Sequence, residues 1–247
     1  MLVYGPVSSR RLGRRLGLNN IPYKYCSYSC PYCLVGPTTK KQITPAVFYQ
    51  PQALLEETKA HIEKVGVDQR EIDYISFSPD GEPTLDSNLA TLIRMLKREL
   101  SIPVAVISNG SLLWREEVRE ALIQADLVSL KVDSVSEPVW RNINRPDERL
   151  QMSKVLNGIR DFAAGFRGEL ITETMLVDEV NTAERDLQDL AAYLRGLSPQ
   201  KAYLAVPAQP PTDELVPAPA KDKLSRAHQL FVEAGLSVKC LTRKPAR

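Results

Sequence analysis

The chain sets three cysteines within eight residues, Cys26-Ser27-Tyr28-Ser29-Cys30-Pro31-Tyr32-Cys33, a C-x3-C-x2-C spacing. Three thiolates fill three corners of a four-iron cubane cluster. The fourth iron is then left for a ligand that the cysteines do not supply. An open coordination position is where a metal centre does chemistry, whereas a closed one usually braces a fold. Two other readings stand beside this one. Zinc would need Cys240 or a histidine as fourth ligand, and His61 and His228 both lie far away in sequence, in predicted surface helices. A redox pair of Cys30 and Cys33 would leave Cys26 without a role.

Further residues able to do chemistry follow short apolar runs. Asp80-Gly81-Glu82-Pro83 follows the run 72–78. Glycine there permits close backbone approach and proline fixes the chain direction, so the segment can hold a carboxylate against a cation. It is also the composition of an ordinary acidic turn. Asn109 follows the run 104–108, as a ligand or as a turn residue. Lys131 and Asp133 end the run 127–132; two apart on a strand, they share one face, as ligands or as a solvated ion pair. Glu173 falls within the run 170–177.

These residues need a frame that brings them together. Strands at 72–78, 104–108, 127–132, 170–177 and 202–206 alternate with helices at 51–65, 87–100, 111–125, 153–166 and 183–197, and a last helix covers 221–234. The strands are almost continuously apolar, as in a parallel sheet covered by helices on both faces. This is an α/β fold wound into an open or closed barrel. The loops after the strands then converge at one rim. Residues 207–220 hold five prolines and read as a linker or a strand-capping loop. The expected division is a core over 1–211, with the cysteine loop at 22–36, and a proline-rich linker with a helix/strand extension over 212–247.

Net charge is only +2, but it is unevenly spread. Residues 1–50 carry Arg10, Arg11, Arg14, Arg15, Lys24, Lys40 and Lys41 and no Asp or Glu, leaving 25 basic against 30 acidic residues beyond them. A basic leader beside a site recruits a polyanion or neutralises an anionic substrate, or is a solvated loop. Four cysteines, three of them clustered, do not form a secreted disulfide framework. No signal-peptide layout and no apolar run of about 18 residues is present. The expectation is a cytoplasmic protein with no membrane partner.

The cysteine spacing, with aromatic Tyr32 just before the last cysteine, resembles the signature of radical S-adenosylmethionine (SAM) enzymes. Asp80-Gly81-Glu82-Pro83 resembles that family's Gly-Gly-Glu loop, with Asp80 in place of the first glycine. The resemblance covers roughly residues 2–211. The leader Val3-Tyr4-Gly5-Pro6-Val7-Ser8-Ser9-Arg10-Arg11-Leu12-Gly13, the segment Asp80 to Leu85, and Asn142-Ile143-Asn144-Arg145-Pro146 are similar to relatives of the wyosine-type tRNA synthetases. Enzymes that build the tricyclic guanine carry a second cysteine set. Here only Cys240 remains, and one thiol cannot hold a second cluster, so the likeness is to single-cluster relatives.

The resemblance implies a partial (β/α)6 TIM-like barrel with a short C-terminal helical extension. It implies one [4Fe-4S] cluster on Cys26, Cys30 and Cys33, with the amino and carboxylate groups of SAM on the fourth iron. Cleavage of SAM would give a 5′-deoxyadenosyl radical, with electrons from a flavodoxin or ferredoxin. By the same resemblance Tyr32 packs near the adenine, and Asp80, Gly81 and Glu82 face the SAM ammonium. Asn109, Lys131 and Asp133 contact its ribose or carboxylate, and Glu173 contacts SAM or substrate. Arg10, Arg11, Arg14, Arg15 and Arg145 would hold an anionic substrate, in the first place tRNA or another RNA. A protein or small metabolite as substrate, including activation of a glycyl-radical enzyme, is the second reading. A non-catalytic cluster- or zinc-binding module is the third.

Overall fold

The computed structural model describes residues 1–77, 80–207 and 216–242. Strands β1 (Val3–Ser9) and β2 (Gly13–Leu18) form an antiparallel hairpin. The short strands β3 (Tyr25–Cys26) and β4 (Lys40–Lys41) pair in parallel and bracket the cysteine loop. There follow α1 (Pro51–Val65), β5 (Tyr74–Phe77), α2 (Leu89–Glu99), β6 (Val104–Ser108), α3 (Glu116–Leu122) and β7 (Leu127–Lys131). Next come α4 (Glu137–Asn144), α5 (Met152–Gly165), β8 (Glu169–Met175), α6 (Glu184–Leu197), β9 (Lys201–Ala205), α7 (Lys221–Glu233) and β10 (Val238–Leu241). One sheet runs β1-β2-β5-β6-β7-β8-β9-β10, and every pairing beyond the first is parallel. Helices cross over between its parallel strands, giving a mixed α/β fold with a partial TIM-like barrel. No helix among the described residues is long and apolar enough to cross a membrane.

Local chemistry explains the elements. Helix α2 buries Leu89, Leu92, Ile93 and Leu96, one stripe at helical spacing. Helix α1 starts on Pro51, whose missing N–H costs nothing at a first turn, and stops where Gly66 turns left-handed at φ 61°. The helix expected over 111–125 forms only from Glu116. The stretch before it lies against α5 at Gly158, where a Cβ would stand 2.3 Å from the Trp114 nitrogen. That close contact holds 111–115 as a turn, with Leu112 and Leu113 buried.

The hairpin was not legible as strands, because Gly13-Arg14-Arg15-Leu16-Gly17-Leu18 mixes charge and glycine. Alternation sorts it. Leu16 and Leu18 join the large core between sheet and helices. Leu12, in the β1–β2 turn, joins a separate cluster inside the barrel with Ala105, Leu127, Ile171, Tyr203, Ala205 and Leu241. In the same turn the Arg10 guanidinium donates to the Thr242 carbonyl beyond β10. Strand β10 extends the same sheet, with Leu241 in register with Ala205. Residues 208–215 of the proline-rich segment, where the expected boundary at 211/212 falls, lie outside the described residues, as do Ser78 and Pro79 before the Asp80 loop.

Candidate functional site at the barrel rim

The C-terminal ends of the parallel strands meet at one rim, and the cysteine loop enters it directly after β2. Cys26, Cys30 and Cys33 are half-buried free thiols. They line one cavity of about 290 Å³ together with Tyr32, Asp80, Gly81, Glu82, Asn109, Lys131 and Glu173. The structure thus gathers three cysteines and all but one of the cofactor-contacting residues expected from the sequence. The exception, Asp133, sits immediately behind them.

Amide donors reach two of the three sulfurs. Cys26 Sγ accepts from the Tyr28 N–H at 3.5 Å and from Asn109 Nδ2 at 3.6 Å. Cys30 Sγ accepts from Asn144 Nδ2 at 3.5 Å. Burial pushes the Cys26 thiol well above its usual range, with a further push from Glu82. Burial also pushes the Cys30 thiol up to about 11, with Asp133 adding to the effect. Without a cation both therefore stay protonated at neutral pH.

Gly81 is required by contact: a Cβ there would stand 1.9 Å from the Tyr25 carbonyl oxygen, so the acidic loop and the cysteine loop touch through their backbones. The Glu82 N–H donates to that same carbonyl at 3.0 Å. Glu82 itself is buried and already engaged. Its Oε1 accepts from the Thr84 N–H, the Thr84 hydroxyl and the Ser108 hydroxyl, and its Oε2 from the Asn109 N–H. Its carboxylate braces the rim, joining the loop after β5 to the loop after β6.

Deeper in, the charges form one chain. Lys131 and Glu173 are register partners on β7 and β8, with Nζ and Oε1 3.3 Å apart. Lys131 Nζ also lies 3.3 Å from Asp133 Oδ1 and 4.8 Å from the Tyr32 ring centroid. Arg11 Nη1 meets Glu173 Oε2 at 2.5 Å. Asp133, its side chain fully buried, accepts from the Tyr32 hydroxyl, from Asn144 Nδ2 at 2.7 Å and from the Met175 N–H at 2.7 Å. The Lys131–Asp133 pair is thus shielded on one side, Asp133 being fully buried and Lys131 opening on the cavity. Burial would lower the Lys131 pKa, but Asp133 and Glu173 outweigh it and raise it, so the lysine is a fixed cation. Burial would raise the Glu173 pKa, but Lys131 and Arg11 bring it below the ordinary value.

The arginines do not act as one group. Arg11 reaches up the barrel to Glu173 and Ser129, and Arg15 donates to the Ser76 hydroxyl at 2.6 Å inside it. Arg14 points outward to Glu71, and Arg10 is tied to Thr242. Arg145 alone lies at the rim: it ends α4 in a left-handed conformation, and its carbonyl accepts from the Ser29 N–H of the cysteine loop. Near it stand Lys40 and Lys41, two of the basic residues of the leader. Lys41 Nζ donates to the Pro146 carbonyl at 3.4 Å, and Lys40 lies over the Tyr25 ring. The sequence places Lys24 in the basic leader and Asn144 in the segment 142–146 but gives neither an individual role, which distant partners decide. His61 is held at the hairpin, where its Nε2 lies 2.8 Å from the Gly5 carbonyl, and is remote from the cysteines.

The donor set fits an iron–sulfur cluster. Three soft thiols facing one cavity suit iron–sulfur ligation, and a tetrahedral zinc site would need a fourth protein ligand beside them. Buried Lys24 also lines the cavity, and its Nζ has no hydrogen-bond acceptor among the described residues. That orphaned cation suits an anionic occupant.

A parallel barrel whose rim offers three thiols and an acidic loop to a shared cavity defines an iron–sulfur barrel protein. Comparison with known proteins makes this specific: residues 20–191 match the radical SAM superfamily, and the chain belongs to that superfamily. Membership implies an enzyme that uses an iron–sulfur cluster and SAM. A UPF0026 protein of Methanocaldococcus jannaschii, MJ1312, is 44% identical over 232 residues, covering 94% of this chain and 71% of the relative. A Brachyspira hyodysenteriae protein named GTPase Obg is 33% identical across 96% of this chain, which spans only 34% of that protein. The solved structure of TYW1 with a lysine–pyruvate adduct has a similar fold, with a TM-score of 0.67 at 16% identity, covering 89% of this chain and 73% of that one.

Proposed function

We propose that the protein is a single-cluster radical SAM enzyme, with Cys26, Cys30 and Cys33 as ligands of one [4Fe-4S] cluster. The observation that carries this is the cavity the three free thiols share with the Asp80–Glu82 loop, Asn109 and Lys131. When bound, the cluster supplies the electron that splits the C–S bond of SAM to give a 5′-deoxyadenosyl radical. The chain's own residues place and shield the reactants. Tyr32 and Met175 give the cavity apolar walls. Asp80 and the backbone carbonyls of its loop face the ammonium of SAM, because the Glu82 oxygens are already engaged. Asn109 and Lys131 offer donors to ribose and carboxylate oxygens. Glu173, held ionised by Lys131 and Arg11, orients a polar group of SAM or substrate from below.

For the substrate we infer RNA, tRNA first. Support comes from Lys40, Lys41 and Arg145 flanking the cysteine loop, where backbone phosphates would pass, and from the fold shared with TYW1. A second reading, a protein or small metabolite, is supported by Arg11 and Arg15, which point into the barrel where a phosphate backbone does not reach. An electron donor of the flavodoxin or ferredoxin kind completes the scheme. The test is anaerobic reconstitution, counting iron and sulfide and assaying 5′-deoxyadenosine under strong reductant. About four irons per chain with SAM cleavage is the expected result; zinc alone, with SAM intact, would sink the proposal. Turnover on total RNA, with binding measured at several salt concentrations, separates the substrates, because phosphate contacts give a steep salt dependence.

A further inference from the structure

Two lysines line the cavity, and they are treated differently. Lys131 meets two carboxylates. Lys24 is only 5% exposed, yet its Nζ reaches no hydrogen-bond acceptor among the described residues. Its nearest ring, Tyr23, has its centroid 5.8 Å away, at the edge of a useful cation–π contact. A buried ammonium brings three donors and is costly when left unpaired.

The backbone goes to some length to hold it there. Lys24 sits at φ 64°, a left-handed conformation uncommon for a residue with a Cβ. Its N–H donates to the Asp80 carbonyl at 2.9 Å. Its own carbonyl accepts from the N–H groups of Thr39 and Lys40 and from the Thr39 hydroxyl. The side chain is thereby held at the cavity, whose lining it shares with Cys33, Asp80 and Cys26. Two of these three are proposed cluster ligands.

We infer that Lys24 is a built-in counter-cation for the loaded site, its ammonium facing the sulfurs on the Cys26 and Cys33 side of the cluster and easing one-electron reduction. The inference rests on the cluster assignment proposed above. Reduction adds one negative charge to the cluster. A fixed positive charge in a poorly solvated cavity stabilises the reduced form more than the oxidised one, which raises the potential. Lys24 is a positioning residue here; it forms no bond to iron.

The test compares the reconstituted parent with Lys24→Met, which keeps length and loses charge, and Lys24→Arg, which keeps charge. Each is titrated electrochemically without SAM, and the reduced cluster is counted by electron paramagnetic resonance. Lys24→Met should show a reduced-to-oxidised ratio about tenfold lower at a fixed potential, equivalent to about 59 mV for a one-electron couple, with Lys24→Arg close to the parent. An unchanged ratio in Lys24→Met overturns the inference. So does a change that appears only after SAM is added, which would give the ammonium to the SAM carboxylate. If Lys24→Met loads no cluster, urea unfolding of the metal-free chains decides the matter. Stability equal to or above the parent's, with Lys24→Arg still loading, supports the counter-cation; a destabilised metal-free variant overturns it in favour of a structural role. A parent that takes up no cluster defeats the functional proposal itself, which is a separate result.

Discussion

The floor and the rim of the barrel handle charge in opposite ways. On the floor Arg11, Glu173, Lys131 and Asp133 form an unbroken alternation of cation and anion. At the rim, two of the sulfurs draw on amide donors and Lys24 finds no acceptor among the described residues. Just beneath the rim, Asp86 is buried on two uncharged donors, Asn20 Nδ2 and the Asn88 N–H. Buried charges persist in proteins when they are paired. The floor therefore reaches its working state when the chain folds. The rim reaches it only when an occupant arrives.

Breaking the rim should abolish loading without unfolding the barrel. Cys30→Ala removes one of three iron ligands, and the expected result is loss of nearly all reconstituted iron with the far-ultraviolet circular dichroism and melting of the metal-free chain unchanged. Breaking the floor should do the reverse. Glu173→Gln leaves Arg11 and Lys131 facing a neutral group, and the metal-free chain should lose about 1–3 kcal/mol in urea unfolding, less than for a fully buried pair because these side chains stay partly exposed and Lys131 keeps Asp133. Equal losses of stability from the two variants would erase the distinction.

Asp86 provides the finest test. Burial raises its pKa to about 6, with the Asn88 and Asn20 donors only partly opposing the shift. A carboxyl with a raised folded-state pKa binds its proton more tightly when folded. Its contribution to stability is complete below the ordinary carboxylate pKa and is lost as pH rises through about 6. Between about pH 4 and 6 the parent should lose on the order of 2 kcal/mol from this group. Asp86→Asn should flatten that slope, as measured by thermal melts across the range. A slope left intact would show that Asp86 is compensated after all.

The residues that carried their own signal were legible. Three cysteines at fixed spacing need no tertiary information, and neither do Val104-Ala105-Val106-Ile107 as a buried strand or the Leu89, Leu92, Ile93, Leu96 stripe as a helix face. The rim loops followed, because parallel strands present their C-terminal ends together. What escaped was whatever alternation or distance decides. Arg14 and Arg15 are neighbours in sequence, yet strand pleating sends one outward to Glu71 and the other inward to Ser76. Strand β2 itself was hidden by its glycines and arginines. Helix α4 was hidden by its polar surface, and with it Asn144, whose amide joins Cys30 to Asp133. Lys24 was legible only as one of the basic residues of the leader, since what singles it out is an ammonium left without an acceptor among the described residues.

The β1–β2 turn has a kinetic consequence. Leu12 fills the barrel interior from the turn, and the cavity holding the sulfurs is lined by the rim loops, Lys24 and the cysteine loop among them. Where two molecules share an approach from the rim, they form a queue: the one that sits deepest must enter before the one that sits over it, and must wait for that one to leave.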